Sequence, residues 1–337
     1  MRKRFFFGSV FSFVLLMASF APAETFKVKL KDGVERTVDF ISGESEKPVV
    51  VLVNGLVYHY DRWDPVVEVL KGQGYPVLRY YFRGQHQTLV NELKQKGGPT
   101  YAIDGITSEK MGDELAELLA VMKLTKPVVV VGLSYGAHVA AQFAERHPKQ
   151  VLHLSFFAPL VKSLDKYDPQ GAFLSWNLEQ IKFWWGPVLG PTFYEYAYRV
   201  IYRGYLDQRV MPENTPLEFR DHPHEYKEAL FHLVRAARDF DLTKFKFAKL
   251  NPRSVSFFLA QEESAAVFKD QQLSANNLKA RNLRSLIYLP QSSHAIPDSQ
   301  GGPAAQILVQ VLRGESGLAQ GNSFVLRAGR LEPLDPE

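Results

Sequence analysis

The chain has 337 residues, 46% hydrophobic and 23% charged, a composition ordinary for a globular protein that buries a core and a length that suits one large α/β domain or two small ones. Of its 40 basic residues, Arg2, Lys3 and Arg4 cluster at the start, and without them 37 face 36 acidic residues; no basic patch remains that calls for nucleic acid or an acidic surface. There are no cysteines, which excludes disulfides and a lipidated cysteine.

Reading from the start, Arg2-Lys3-Arg4 is followed by a short apolar run over 5–20 and by Ala21-Pro22-Ala23. That order of basic, apolar and small residues reads as a secretory signal peptide over 1–23, cut after Ala23. The run is short for a membrane-spanning helix. A periplasmic or secreted chain with no stable membrane insertion is the expectation.

Residues 26–30 and 37–41 read as an opening hairpin around Lys31-Asp32-Gly33. The all-apolar 49–53 reads as a strand buried on both faces. Asp64-Pro65 starts a helix that carries Val66, Val69 and Leu70 and stops near Gly72 and Gly74. Residues 75–81 are the next strand. Met111, Leu115, Leu118, Leu119 and Met122 recur at helical spacing, Lys126-Pro127 interrupts, and Val128-Val129-Val130-Val131 begins a strand. Another strand spans 151–157. From 162 to 250 the pattern changes to aromatics and prolines with no valine-rich strand, which reads as a helical cap. Strands resume over 254–260 and 285–289. Gly301-Gly302-Pro303 is read as opening a closing helix, and the tail after Gly314 receives no role. Strands alternating with helices imply a mainly parallel sheet with helices on both faces.

The chemistry centres on Gly132-Leu133-Ser134-Tyr135-Gly136. A serine between an apolar strand and a helix sits on a sharp turn, with its hydroxyl exposed at the positive helix end. A serine hydroxyl needs a base, and the base needs an orienting carboxylate. Of nine histidines, His294 lies in a polar loop between the last apolar strand and the last helix. In a parallel sheet that loop shares the carboxyl edge with Ser134. Glu262 and Glu263 follow the strand at 254–260; Glu263 is preferred as the acid, with Glu262 and then Asp165 as alternatives. The oxyanion of an acyl intermediate needs backbone donors. Tyr135 N–H is one. The turn Asn54-Gly55-Leu56 supplies the other, and its glycine directs the choice to Leu56 N–H.

These residues resemble those of the α/β-hydrolases. Val51-Leu52-Val53-Asn54-Gly55, with Trp63 and Pro65 downstream, is similar to that superfamily's oxyanion-turn segment. Tyr81-Phe82-Arg83-Gly84-Gln85-His86 is similar to its aspartate-x-arginine-glycine-histidine-glycine loop. Ser293-His294-Ala295-Ile296-Pro297 resembles its catalytic-histidine loop, and Leu259-Ala260-Gln261-Glu262-Glu263 its acid loop. The resemblance covers about 28–312, least in the cap. It implies an α/β-hydrolase core over 24–161 and 251–337 with a helical cap over 162–250. Asn54 stands where a histidine is frequent, Tyr81 where an aspartate is, and Glu263 at the usual aspartate position. Those departures bear on substrate more than on reaction.

Other residues carry weaker signals. His138, one helical turn after Ser134, reads as packed near the sheet. His59 and Tyr60 read as loop surface beside the oxyanion turn. Asp221-His222-Pro223-His224-Glu225 lacks the i, i+4 spacing of a helical metal site. The main expectation is an exported serine hydrolase acting on an ester-type bond of a hydrophobic small substrate, through Ser134, His294 and Glu263, with no cofactor. The alternative is a non-catalytic binding or partner-docking module on the same fold. Ester, thioester and amide substrates stay open.

Overall fold

The structure is a computed structural model that describes residues 24–95, 105–209, 220, 222–315, 318 and 322–334. Residues 1–23, read above as a signal peptide, lie outside the described residues, as do Asp221 and residues 335–337. Ten strands form one sheet in the order β1-β2-β4-β3-β5-β6-β7-β8-β9-β10. An antiparallel hairpin, β1 Glu24–Lys29 and β2 Glu35–Ile41, leads in. The centre is parallel: β3 Val50–Val53, β4 Val77–Tyr80, β5 Val128–Leu133, β6 Val151–Phe157, β7 Val255–Ala260 and β8 Leu283–Leu289.

Helices cover both faces, which is why β3 and β5 carry no polar side chain. Successive strand side chains point to opposite sides. Val51, Val53, Val128 and Val130 pack with Met111, Leu115 and Leu118 of α3 Ser108–Val121 and with Ala137, Ala140 and Ala141 of α4 Gly136–Arg146. Val50, Leu52, Val129 and Val131 pack on the other side with Val66 and Leu70 of α1 Asp64–Gly72 and with Ala304, Ile307 and Leu308 of α8 Ile296–Arg313. Two further helices, α2 His86–Leu93 and α7 Ala265–Leu278, follow β4 and β7.

Three features depart from the sequence reading. The closing helix begins at Ile296, not at Gly301, because Pro297 serves as a helix-starting residue and the helix continues through a kink at Gln300. The tail carries β9 Asn322–Arg327 and β10 Arg330–Leu334, which extend the sheet beyond β8. Helices α2 and α7 were not marked by the apolar spacing. The cap contains α5 Pro169–Arg209 and α6 Pro223–Ala237. Gly190, at φ 79° between Pro187 and Pro191, breaks α5 into two arms. Leu178 of the first arm packs with Tyr194, Tyr198 and Tyr202 of the second and with Phe231 and Val234 of α6.

Candidate active site

Ser134 sits where β5 turns into α4, with φ at 51°, a left-handed backbone that a side chain normally avoids. The turn is held by Ser134 N–H donating to Phe157 O at 3.1 Å and by Leu160 N–H donating to Ser134 O at 3.1 Å. Both flanking glycines are required by space. A Cβ on Gly132 would come within 2.8 Å of Gly136 O, and one on Gly136 within 2.3 Å of Val53 O and 2.5 Å of Asn54 O. The start of α4 therefore lies directly on the end of β3. The same closeness sets Gly55 against the serine: its Cβ position is 3.5 Å from Ser134 Cβ.

His294 follows β8, in a loop tied to the neighbouring loop after β7. Glu262 N–H donates to Ser292 O at 3.1 Å and Gln261 N–H to Leu289 O at 3.2 Å. Ser293 N–H donates to Ser299 Oγ at 3.2 Å. In this frame Ser134 Oγ and His294 Nε2 are 2.7 Å apart. On the other ring edge His294 Nδ1 bonds Glu263 Oε2. A carboxylate only accepts, so Nδ1 carries the proton and Nε2 presents its lone pair to the serine hydroxyl. Burial pushes the Glu263 carboxyl up. The hydrogen bond and charge of His294 and the Ser264 N–H on Oε1 outweigh that, leaving it below its usual value. The structure brings Ser134, His294 and Glu263 into one chain of hydrogen bonds. Glu262 is exposed, and Asp165 is buried against Ser175 Oγ.

The N–H groups of Leu56 and Tyr135 lie on the two chain segments that meet at the serine. Among the described residues neither donates to a backbone carbonyl in a turn or loop. Their side chains reach the cap: Leu56 packs against the aromatic cluster of α5 and α6, and Tyr135 Oη donates to Leu233 O of α6 at 2.7 Å.

Asn54 is buried and accepts from Trp63 Nε1 at 2.8 Å, which ties the end of β3 to the start of α1. His138 is buried, 2.7 Å from Leu160 O and stacked on Phe240. Burial lowers it to about 3, so it stays neutral. His59 is part-exposed and meets the rings of Tyr81 and His86 edge-on. Among the described residues no group of three metal-binding side chains is found, and His224 faces Arg203 at 3.0 Å.

One brace escaped the sequence reading. Tyr58 Oη donates to Asp298 Oδ1 at 2.9 Å, and Arg62 bonds the same carboxylate while lying over the Tyr58 ring at 4.5 Å. It joins the segment after the Asn54-Gly55-Leu56 turn to the helix that follows His294. The partners are 240 positions apart, and no local pattern marks such a pair.

Comparison with known proteins agrees with this architecture. In sequence, 114 residues are 25% identical to a monoacylglycerol lipase ABHD6 of Bos taurus; the match spans 34% of this chain and 31% of that relative. In structure, the chain is similar to an enol-lactonase from Burkholderia xenovorans LB400 (18% identity, 86% of this chain and 100% of that one, TM-score 0.57). It is also similar to a membrane phospholipase A described as a bacterial virulence factor (15% identity, 87% and 86%, TM-score 0.59). A thermophilic esterase from Thermogutta terrifontis matches as well (18% identity, 86% and 98%, TM-score 0.56). Residues 44–217, just over half of the chain, match the family model described as serine aminopeptidase, S33, and the chain belongs to that family of α/β-hydrolases.

Proposed function

We propose that this chain is an exported serine hydrolase that cleaves an ester-type acyl bond through an acyl-enzyme on Ser134. The observation that carries the reading is the hydrogen-bonded path from Ser134 Oγ through His294 to Glu263. As Oγ attacks the acyl carbon, its proton passes to His294 Nε2, and Glu263 balances the imidazolium. The N–H groups of Leu56 and Tyr135 receive the negative charge that develops on the carbonyl oxygen. His294 then returns the proton to the leaving alcohol. Water repeats the sequence from the other side and frees Ser134.

The relatives named as lipase, phospholipase, esterase and lactonase favour an oxygen ester over the amide that the family description suggests. The apolar contacts of Leu56 with the cap cluster support a substrate with a hydrophobic part. Export rests on the basic, apolar and small residues of 1–23.

The test is turnover of p-nitrophenyl esters of graded chain length by wild type and Ser134→Ala, with labelling by a fluorophosphonate probe. The expected outcome is Ser134-dependent labelling and a loss of several orders of magnitude in kcat for the alanine variant. Equal turnover by the two proteins would falsify the assignment. A well-folded protein that neither labels nor turns over any ester, thioester or amide would point instead to a binding module.

A further inference from the structure

We propose that Gln85 is the positioning residue of the oxyanion turn, an inference that rests on the Ser134 hydrolase reading. Its carboxamide nitrogen donates to Gly55 O at 2.6 Å and to Leu56 O at 2.9 Å. An amide nitrogen has two protons, so both are committed to the two successive carbonyls of the turn. The peptide unit between Gly55 and Leu56 is planar and trans, with its C=O and N–H pointing in opposite directions. Holding Gly55 O toward Gln85 therefore turns the Leu56 N–H away from Gln85, the orientation a donor to the acyl oxygen needs.

The hold matters because Gly55 is permissive on both sides of the φ axis and the turn's own bond to its carbonyl, from Tyr58 N–H, is long at 3.3 Å. A flip of the Gly55–Leu56 peptide would exchange the donor for a carbonyl dipole facing the developing oxyanion. Gln85 is itself fixed. Its N–H donates to Phe82 O at 3.1 Å and its carbonyl accepts from Leu89 N–H at 2.9 Å, at the start of α2. Thr88 Oγ1 anchors the same loop on Tyr81 O at 2.7 Å.

The side chain is a poor choice for stability alone. Gln85 is 2% exposed, and among the described residues its Oε1 has no hydrogen-bond partner. A buried acceptor left unpaired works against folding, whereas a methionine of similar length would leave no such orphan on its own side chain. The amide earns its place through its two donors.

The experiment uses the full mature chain with Gln85→Met and Gln85→Glu; the second keeps the shape and replaces both donors with acceptors. Hydrolysis of a p-nitrophenyl ester is measured beside Ser134→Ala, together with inhibition by an alkyl boronic acid, whose tetrahedral adduct presents an oxygen to the same donors. Both variants are expected to lose about 10²–10³ in kcat with KM within about threefold. Boronate affinity should weaken by the same factor as kcat; Tm should stay within a few degrees for Gln85→Met and fall further for Gln85→Glu, which buries an unpaired charge. If Ser134→Ala is silent but both Gln85 variants keep kcat within about threefold of wild type, the Gln85 assignment fails alone and the hydrolase reading stands. If Ser134→Ala is as active as wild type, the hydrolase reading fails and takes this one with it. Loss of kcat that follows a large fall in Tm, with boronate affinity unchanged per folded molecule, assigns Gln85 a structural role and overturns the proposal.

Discussion

Glu263→Gln is the substitution that most sharply tests the proposed proton path. It keeps the side-chain length, so the packing around the loop after β7 is retained. What it removes is a negative charge, and glutamine can also turn its amide N–H toward His294 Nδ1. In the native site the carboxylate lies below its usual value and is fully ionised at neutral pH. Two unit charges about 4 Å apart interact by roughly 4 kcal/mol at an effective dielectric of about 20, which is about a thousandfold in rate. The His294 side chain is 42% exposed, so solvent screening reduces that term. A glutamine N–H at Nδ1 acts in the opposite direction, because it stabilises the tautomer with its proton on Nε2, where the serine proton must go. The two effects together place the expected loss in kcat near 10³, with KM little changed. Stopped-flow or steady-state hydrolysis of a p-nitrophenyl ester at pH 7.5 reads it directly. Glu262→Gln is the matched control, because Glu262 is exposed one residue away and should stay within about twofold of wild type. A Glu263→Gln enzyme within threefold of wild type, or a Glu262→Gln enzyme that is the more damaged, refutes the reasoning.

Four further substitutions follow from packing and burial. Gly136→Ala would drive a Cβ to 2.3 Å from Val53 O and should cost at least about 2 kcal/mol in urea unfolding with a large loss of kcat; in contrast Gly302→Ala, whose Cβ meets nothing within 4 Å in α8, should gain about 0.5–1 kcal/mol and leave kcat alone. Tyr135→Phe deletes the buried bond to Leu233 O and should cost about 1–3 kcal/mol, read as a fall in Tm. Glu92 is fully buried with neither carboxylate oxygen hydrogen-bonded among the described residues, and burial pushes it up to about 7 against the lowering charges of Arg36 and Arg83. Because its folded value exceeds its unfolded one, the group costs nothing at pH 4, and the cost grows as pH rises to 7 and is constant above. Glu92→Gln should therefore match wild type near pH 4 and exceed it at pH 8, by up to a value on the order of 3 kcal/mol. An equal difference in urea unfolding at the two pH values contradicts this.

The central strands were legible because a strand buried on both faces has no freedom in composition. Val128–Leu133 is a continuous apolar run, as is Val50–Val53, and Val151–Phe157 is interrupted only by His153 and Ser155. The helices that escaped notice are of a different kind. His86–Leu93 begins without a capping side chain, and Ala265–Leu278 buries Gln271 and Ser274 beside Val267, Ala275 and Leu278, so its inner face is partly polar and lacks the apolar stripe that marks a surface helix. The terminal hairpin is hidden for another reason. Its strands lie at the sheet edge, and β10 is largely exposed, so few of its residues need be apolar.

The same division runs through the site. A nucleophile, a base and an acid are restricted to a few residue types, so Ser134, His294 and the pair Glu262 and Glu263 could be chosen from type and place in the strand–loop order. Glu263 is the preferred acid from its place in the loop, and the loop geometry brings its carboxylate to His294 Nδ1 while Glu262 is exposed. The groups that hold the machinery in register have no such restriction of type. Trp63 on Asn54, Asp298 on Tyr58 and Gln85 on Gly55 are an indole, a carboxylate and an amide, each an ordinary residue in its own segment. Their common property is that each joins the turn after β3, or the segment just beyond it, to a different part of the carboxyl edge. The turn's own bond, from Tyr58 N–H to Gly55 O, is long at 3.3 Å, so the contacts from outside add to its hold. The groups of the proposed triad are therefore readable along the chain, while the contacts that would hold them in register are distributed across it.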